Sequence, residues 1–218
     1  MLKLVIFDFD GTLCDSIPLC IRAFRAAIEP LAGRSVSDQE IIETFGPSEE
    51  GTIQALIPAY LEEGTAAYLR CYEAFHEDCR VFPGMRELLA ELRKQGMKTA
   101  LVTGKGVKSC AISLKKLGLS PLLDGLETGS PEGPCKPAGM KRLLAQFGVR
   151  PEEAVYIGDA VSDIQASREA GVGVISAAWC TSAEWAKLEA AHPDGLCRSV
   201  EELRTLLGKL SGVQGDVR

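Results

Sequence analysis

The chain has 218 residues, with 24 Lys and Arg against 30 Asp and Glu and a formal charge of −6. That length suits one large domain or a medium domain carrying a smaller one, and the balance of 46% hydrophobic to 25% charged residues excludes global disorder. The acidic excess argues against nucleic acid or a membrane surface as the main partner, since both are polyanions, but a small anionic substrate can still bind where a site is locally positive.

Leu2 to Phe7 is a continuous apolar run of the kind carried by a strand buried on both faces, and it stops at Asp8-Phe9-Asp10-Gly11-Thr12. Ile17, Cys20, Ile21, Phe24, Ala27, Ile28 and Leu31 then recur at helical spacing, with Pro18 in the tolerated first turn. Ser37 and Glu40 predict a capping box ahead of Ile41 and Ile42. Gly46-Pro47-Ser48 predicts a turn, Ser48 to Ile57 a helix, and Pro58 to Cys79 a further helical stretch with Gly64 as its weak point. Residues 16–80 thus carry helix signals and no strand signal, which predicts a compact helical module rather than a long loop.

From Val81-Phe82-Pro83-Gly84 onward, helix and strand alternate. Met85, Leu88, Leu89 and Leu92 predict a helix ended by Gly96, and Lys98 to Val102 a strand ending at Thr103-Gly104-Lys105. A helix over Val107 to Leu117, a weak strand near Leu126, a helix from Met140 to Phe147 and a strand from Ala154 to Ile157 follow. That strand ends at Gly158-Asp159. A helix over Ile164 to Ala170 leads to a strand over Val172 to Ile175, and Ser199 with Glu202 predicts a second capping box before Leu203, Leu206, Leu207 and Leu210. The tail after Ser211 is expected to fray. Repeated β-α units predict an α/β fold, a Rossmann-like three-layer core with a parallel sheet. Ligands of such sheets bind outside the carboxyl ends of the strands.

The eight cysteines form no C-x-x-C pair and there are only two histidines, so zinc-finger readings fail on spacing. They are read as reduced, mostly buried thiols of a cytoplasmic protein. The N-terminal apolar run is too short for a signal peptide, and no stretch reaches the ~18 uninterrupted apolar residues of a membrane span.

The predicted strand ends carry complementary polar groups. The first gives Asp8 and Asp10, the second Thr103, and the fourth Asp159 with Asp163 four residues on, while Lys136 opens a helix in Cys135-Lys136-Pro137. Asp8 and Asp10 share one face if the strand continues, and Asp159 and Asp163 share one if a helix starts at once. Four converging carboxylates call for a cation. Mg2+ fits such an oxygen-rich site, with Lys136 and the Thr103 hydroxyl left to face phosphate oxygens. The set suits phosphoryl transfer.

Asp8-Phe9-Asp10-Gly11-Thr12, Leu101-Val102-Thr103-Gly104-Lys105, Cys135-Lys136-Pro137 and Gly158-Asp159-Ala160-Val161-Ser162-Asp163 resemble, in order, the four motifs of the haloacid dehalogenase-like superfamily. The helical stretch after the first motif resembles its cap. The resemblance implies a discontinuous Rossmann-like core over 1–15 and 81–218 with a helical cap over 16–80. It implies Asp8 as nucleophile forming an aspartyl-phosphate and Asp10 as general acid/base. Asp8, the Asp10 main-chain carbonyl and Asp159 become Mg2+ ligands, with Asp163 supporting the metal from behind. Thr103, Gly104 and Lys136 become the phosphate-binding residues. Asp10 favours phosphate-ester chemistry over the dehalogenase and phosphonate-cleaving branches, and Thr12 favours hydrolysis over mutase activity. The Val-Phe-Pro-Gly segment, the cap and Trp179 most resemble the phosphoglycolate phosphatase-like members, although Cys180 stands where glycine is common.

The expected activity is therefore a Mg2+-dependent phosphatase of a small phosphorylated metabolite, acting as monomer or homodimer. Phosphoglycolate, a nucleoside monophosphate, pyrophosphate and a sugar phosphate all remain open as substrate. A sugar phosphomutase and a non-catalytic protein keeping the fold are the alternatives. Lys105 is read as a surface or cap-facing lysine, His76 as a non-catalytic residue of a cap helix and His192 as part of a polar loop. Gly46 to Glu50 is either a substrate-touching cap loop or a plain connector. Cys14 and Cys135 lie within a few residues of the motifs and are the thiols to examine if oxidation inactivates the protein.

Overall fold

The computed structural model describes residues 1–212. Six parallel strands form the central sheet: β1 (Leu4–Phe7), β4 (Lys98–Val102), β5 (Gly125–Glu127), β6 (Ala154–Gly158), β7 (Gly173–Ala177) and β8 (Gly195–Cys197), in the order β5-β4-β1-β6-β7-β8. β1 is central because its four residues are apolar on both faces and fully buried. Val5 and Phe7 join the core under α5 (Met85–Lys94), α6 (Val107–Lys116) and α10 (Val200–Ser211), while Leu4 and Ile6 face α7 (Lys136–Phe147), α8 (Val161–Ala170) and α9 (Trp185–Ala190). This is the expected three-layer α/β sandwich.

The strand order does the first work of building a site. β1 pairs with β4 on one side and β6 on the other, with Phe7 opposite both Leu101 and Ile157. The residues just beyond these strands are therefore neighbours, although they lie far apart in the chain. Such a switch point, where the chain winds away in both directions, is where ligands of open α/β sheets bind.

Between β2 (Cys14–Asp15) and β3 (Arg80–Val81) the chain is helical: α1 (Ile17–Ala32), α2 (Asp38–Ile42), α3 (Glu49–Leu56) and α4 (Leu61–Phe75), with short 3-10 turns at Pro58–Tyr60 and His76–Asp78. β2 and β3 are antiparallel and pair Cys14 with Val81, so the outgoing and returning chain are tied together. The Ser37 box forms in full: Ser37 Oγ accepts from Glu40 N at 3.2 Å and Glu40 Oε2 accepts from Ser37 N at 2.9 Å. Gly64 does not weaken α4. A Cβ there would lie 2.8 Å from Ile53 Cγ2, so glycine is what lets α3 and α4 touch. The apolar face of the helices is continuous with the sheet core through Phe24, Ile28, Ile53, Tyr68 and Tyr72.

Two details differ from the sequence reading. β8 lies beyond the strand expected to be last, and its three residues Gly195-Leu196-Cys197 are too short a run to signal a strand. The second capping box is half made: Ser199 Oγ accepts from Glu202 N at 3.1 Å, but the Glu202 carboxylate accepts from Arg198 N instead. Of the tail expected to fray, residues 213–218 lie outside the described residues, and Gly212 closes α10 in a left-handed conformation with φ 72°. No helix among the described residues is long and apolar enough to cross a membrane.

Candidate active site

β1 delivers Asp8 into the switch point, 6% exposed. Its Oδ2 accepts from Lys136 Nζ at 2.8 Å, while its Oδ1 is buried without a hydrogen-bond partner. Burial pushes the Asp8 carboxyl up to about 6; Lys136 opposes this and the Asp163 charge adds to it. Lys136 stands at the start of α7 and bridges to Asp163 Oδ1 at 2.6 Å. Burial disfavours its charge, but the Asp163 and Asp8 carboxylates outweigh that and hold the ammonium well above its ordinary range.

Asp159 follows β6. Burial, with Asp163 and Asp8 nearby, raises its carboxyl well above the usual range. Gly11, at φ +76°, makes room for it: a Cβ there would meet the Asp159 carboxylate. Thr12 Oγ1 donates to Asp159 Oδ1 at 3.4 Å. Asp163, in the first turn of α8, is fully buried and uses both oxygens, Oδ1 for Lys136 and Tyr156 OH and Oδ2 for Ala160 N. It holds Lys136 in place from behind. Gly158 permits this, because a Cβ would fall on the Asp163 carboxylate.

Carboxylate oxygens of Asp8, Asp159 and Asp163 lie within 4.8 Å of one another. Together with the unpartnered Asp8 Oδ1, this oxygen set fits a small hard divalent cation. The sequence spacing implied four converging carboxylates, but the Asp10 carboxylate turns away. It accepts from Ser16 Oγ at 2.5 Å and from Lys105 Nζ at 3.1 Å.

Thr103, 1% exposed, lies beyond β4 beside β1, and its Oγ1 accepts from Lys105 N at 3.2 Å, so its own proton is not used in that bond. Gly104 lines the same cavity as Asp8, Asp10, Lys136 and Asp159. The structure thus brings Asp8, Asp159, Asp163 and Lys136 together, with Asp10 and Gly104 on the same cavity wall, while Thr103 lies buried beyond β4.

Of the surface or cap-facing positions expected for Lys105, it takes the inward one, facing the helical segment. Its ammonium is 3% exposed and sits 4.5 Å from the Tyr72 ring centre and 3.6 Å from Cys20 Sγ, both in the helical segment. Glu49, in the segment left open between a substrate-touching loop and a connector, is buried at the start of α3. Its Oε2 accepts from Gly106 N at 2.8 Å and Ser109 Oγ at 2.9 Å at the amino end of α6. The segment from Gly46 to Glu50 therefore lies against the core and contributes to the cavity wall, and Ser48 N donates to Ser130 O. Trp179 Nε1 donates to Thr12 O at 3.1 Å, which ties the end of β7 to the loop after β1. Cys180 is buried, with its Sγ 2.8 Å from Ser182 Oγ.

A buried acidic triad and a lysine bridging two of its members thus sit at the switch point of a parallel α/β sheet. The family model of haloacid dehalogenase-like hydrolases matches residues 5–177, and the chain belongs to this family. A phosphoglycolate phosphatase of Pseudomonas savastanoi is 30% identical over 187 residues, covering 80% of this chain and 68% of that protein. A pyrophosphatase PpaX of Bacillus mycoides is 26% identical over 211 residues, 95% of this chain and 98% of the relative. Among solved structures, a haloacid dehalogenase-like hydrolase from Streptococcus pneumoniae matches with a TM-score of 0.78 at 26% identity, covering 94% of this chain and 98% of that one.

Proposed function

We propose that this chain is a Mg2+-dependent phosphatase that hydrolyses a small phosphorylated metabolite through a phosphoryl-Asp8 intermediate. The observation that carries the reading is Asp8 itself: one oxygen held by Lys136, the other buried, unpartnered and beside Asp159. The names of the relatives, a phosphoglycolate phosphatase and a pyrophosphatase, support phosphate chemistry.

In this reading Asp8 attacks phosphorus while Asp10 gives its proton to the departing oxygen. Asp10 then takes a proton from the water that attacks phosphoryl-Asp8, and inorganic phosphate leaves. Lys136 neutralises charge on the transferring group, and the Thr103 hydroxyl and Gly104 hold its oxygens. Mg2+, held by Asp8, the Asp10 main-chain carbonyl and Asp159, would neutralise the remaining phosphate charge. Asp163 keeps Lys136 aligned. Residues 16–80 act as a cap domain on a core of 1–15 and 81–218, excluding bulk water and selecting substrate. Eight free thiols fit a cytoplasmic setting.

Asp8→Asn keeps the shape and removes the nucleophile. Phosphate release from p-nitrophenyl phosphate with Mg2+ should fall by about a thousandfold or more. A variant working at the wild-type rate would refute the assignment.

A further inference from the structure

The cavity over the strand ends has a volume of about 570 Å3, within the range of sites that enclose drug-sized ligands. Pyrophosphate or a two-carbon acid phosphate would fill only a small part of it. One end is the charged cluster around Asp8. The other end, built by the helical segment, has a different chemistry.

Phe24 stacks on Tyr68 with 4.1 Å between ring centres, and Phe45 tilts against Phe24 at 6.2 Å. All three line the cavity, but Phe24 and Tyr68 are only 4% and 2% exposed, so Phe45, 40% exposed, is the ring that offers a face. Among the described residues, the helical segment brings no lysine, arginine or histidine to the cavity wall. Its one charged side chain on that wall is Glu49, 5% exposed, whose Oε1 is buried with no hydrogen-bond partner. The cations of the wall are Lys105 and Lys136, and both are already paired, with Asp10 and with Asp8 and Asp163.

An anionic leaving group would therefore be taken out of water beside a buried carboxylate, with no free cation to meet it. That costs free energy on both counts. An uncharged group with an aromatic face meets the opposite situation: the Phe45 ring to stack against and the unsatisfied Glu49 acceptor to receive an N–H or O–H.

We propose that the substrate's leaving group is an uncharged, aromatic-ring-bearing primary alcohol with a hydrogen-bond donor for Glu49, the chemical class of a nucleoside or a hydroxymethyl-pyridine, rather than a carboxylate or a second phosphate. The proposal rests on the phosphatase reading and adds the leaving group to it. It separates this chain from relatives named for phosphoglycolate and pyrophosphate, whose leaving groups are anions.

The test uses the full chain with Mg2+ and compares kcat/KM for nucleoside 5′-monophosphates and pyridoxine 5′-phosphate with that for 2-phosphoglycolate and pyrophosphate. The ring-bearing esters should be favoured by about tenfold or more, the scale of one like-charge contact in a partly buried site. Glu49→Gln should narrow that ratio by raising turnover of 2-phosphoglycolate. Phe45→Ala, at an exposed position that does not threaten folding, should raise KM for the ring-bearing esters several-fold and leave that for 2-phosphoglycolate unchanged. Asp8-dependent turnover that favours 2-phosphoglycolate or pyrophosphate overturns the leaving-group assignment alone. Absence of Asp8-dependent turnover on every ester overturns the phosphatase reading and this proposal with it.

Discussion

Lys105 Nζ lies 3.1 and 3.3 Å from the two oxygens of Asp10, inside a shell made by Phe9, Cys20 and Tyr72. Burial disfavours the ammonium, but the Asp10 charge more than offsets this, and Lys105 stays protonated well above its ordinary range. Its neighbours come from positions 9, 10, 20 and 72, so no local pattern could reveal its burial. Asp8, Asp159 and Lys136 were legible because each directly ends a strand or opens a helix. Lys105 acts through Asp10, as a positioning residue. Lys105→Met should lower kcat/KM by about 10- to 100-fold, part of the usual worth of a placed acid/base, and should also lower Tm by leaving a part-buried carboxylate unpaired. Lys105→Arg should not rescue it, because the site is filled. In Asp10→Asn/Lys105→Met the Tm loss should shrink below the sum of the single losses, and additive losses would deny the coupling. The thiols separate at this scale too. Cys14 is fully buried and its thiol is pushed far up, chiefly by burial, whereas Cys135 is half-buried on the cavity wall and its Sγ donates to Thr128 O at 3.2 Å. Of the two, only Cys135 is open to an oxidant.

The elements that build the site meet through backbone as much as through side chains. A Cβ on Gly129 would come 1.9 Å from Gly104 O, and Gly129 N donates to Lys105 O at 2.6 Å. The loop after β5 thus supports the loop after β4, main chain against main chain. The loop after β4 was readable as the end of an apolar run, but its contact with the loop after β5 was not, because β5 is three residues long and its pairing with β4 is non-local. The same holds for β8, which only its partner β7 defines. Gly129→Ala cannot be absorbed by a rotamer change, since the clash is with backbone. It should move Gly104 and Lys105, raise KM for any phosphate ester several-fold and cost about 1–3 kcal/mol of stability. Unchanged KM together with unchanged denaturation would show that the loops do not need this approach. A control at Gly118, where a Cβ meets nothing but φ is +58°, should cost stability without changing KM.

Across the whole molecule, the helical segment and the core are joined by a polar seam along α6 as well as by the shared apolar core. Ser109 Oγ donates to Glu49 Oε2, and Ser113 Oγ lies 2.8 Å from Tyr72 OH and 3.0 Å from His76 Nε2, all of them buried. The alternation of helix and strand made the layers and the helical segment legible from sequence, but the seam uses serines whose spacing looks like any helix face. His76 is packed and buried, away from the cavity wall, and it is a joint of the assembly. Burial lowers its pKa below 6.5; a hydrogen bond from the ring to its own backbone opposes the shift, the Lys105 and Lys116 charges add to it and the Asp10 charge opposes it. A base with a depressed folded pKa binds fewer protons folded than unfolded, so stability rises with pH between the folded value and 6.5 and is lost on acidification through that window. His76→Gln keeps a group able to bond Ser113 but does not titrate. From pH 8 down to pH 5, the Tm of the wild type should therefore fall further than that of His76→Gln, by about 2–4 °C for each kcal/mol of linked stability at this chain length. Asp and Glu titrations are common to both proteins and cancel in the difference. Parallel Tm curves would show that His76 carries no linkage, and a steeper fall in the variant would reverse the sign derived from its burial.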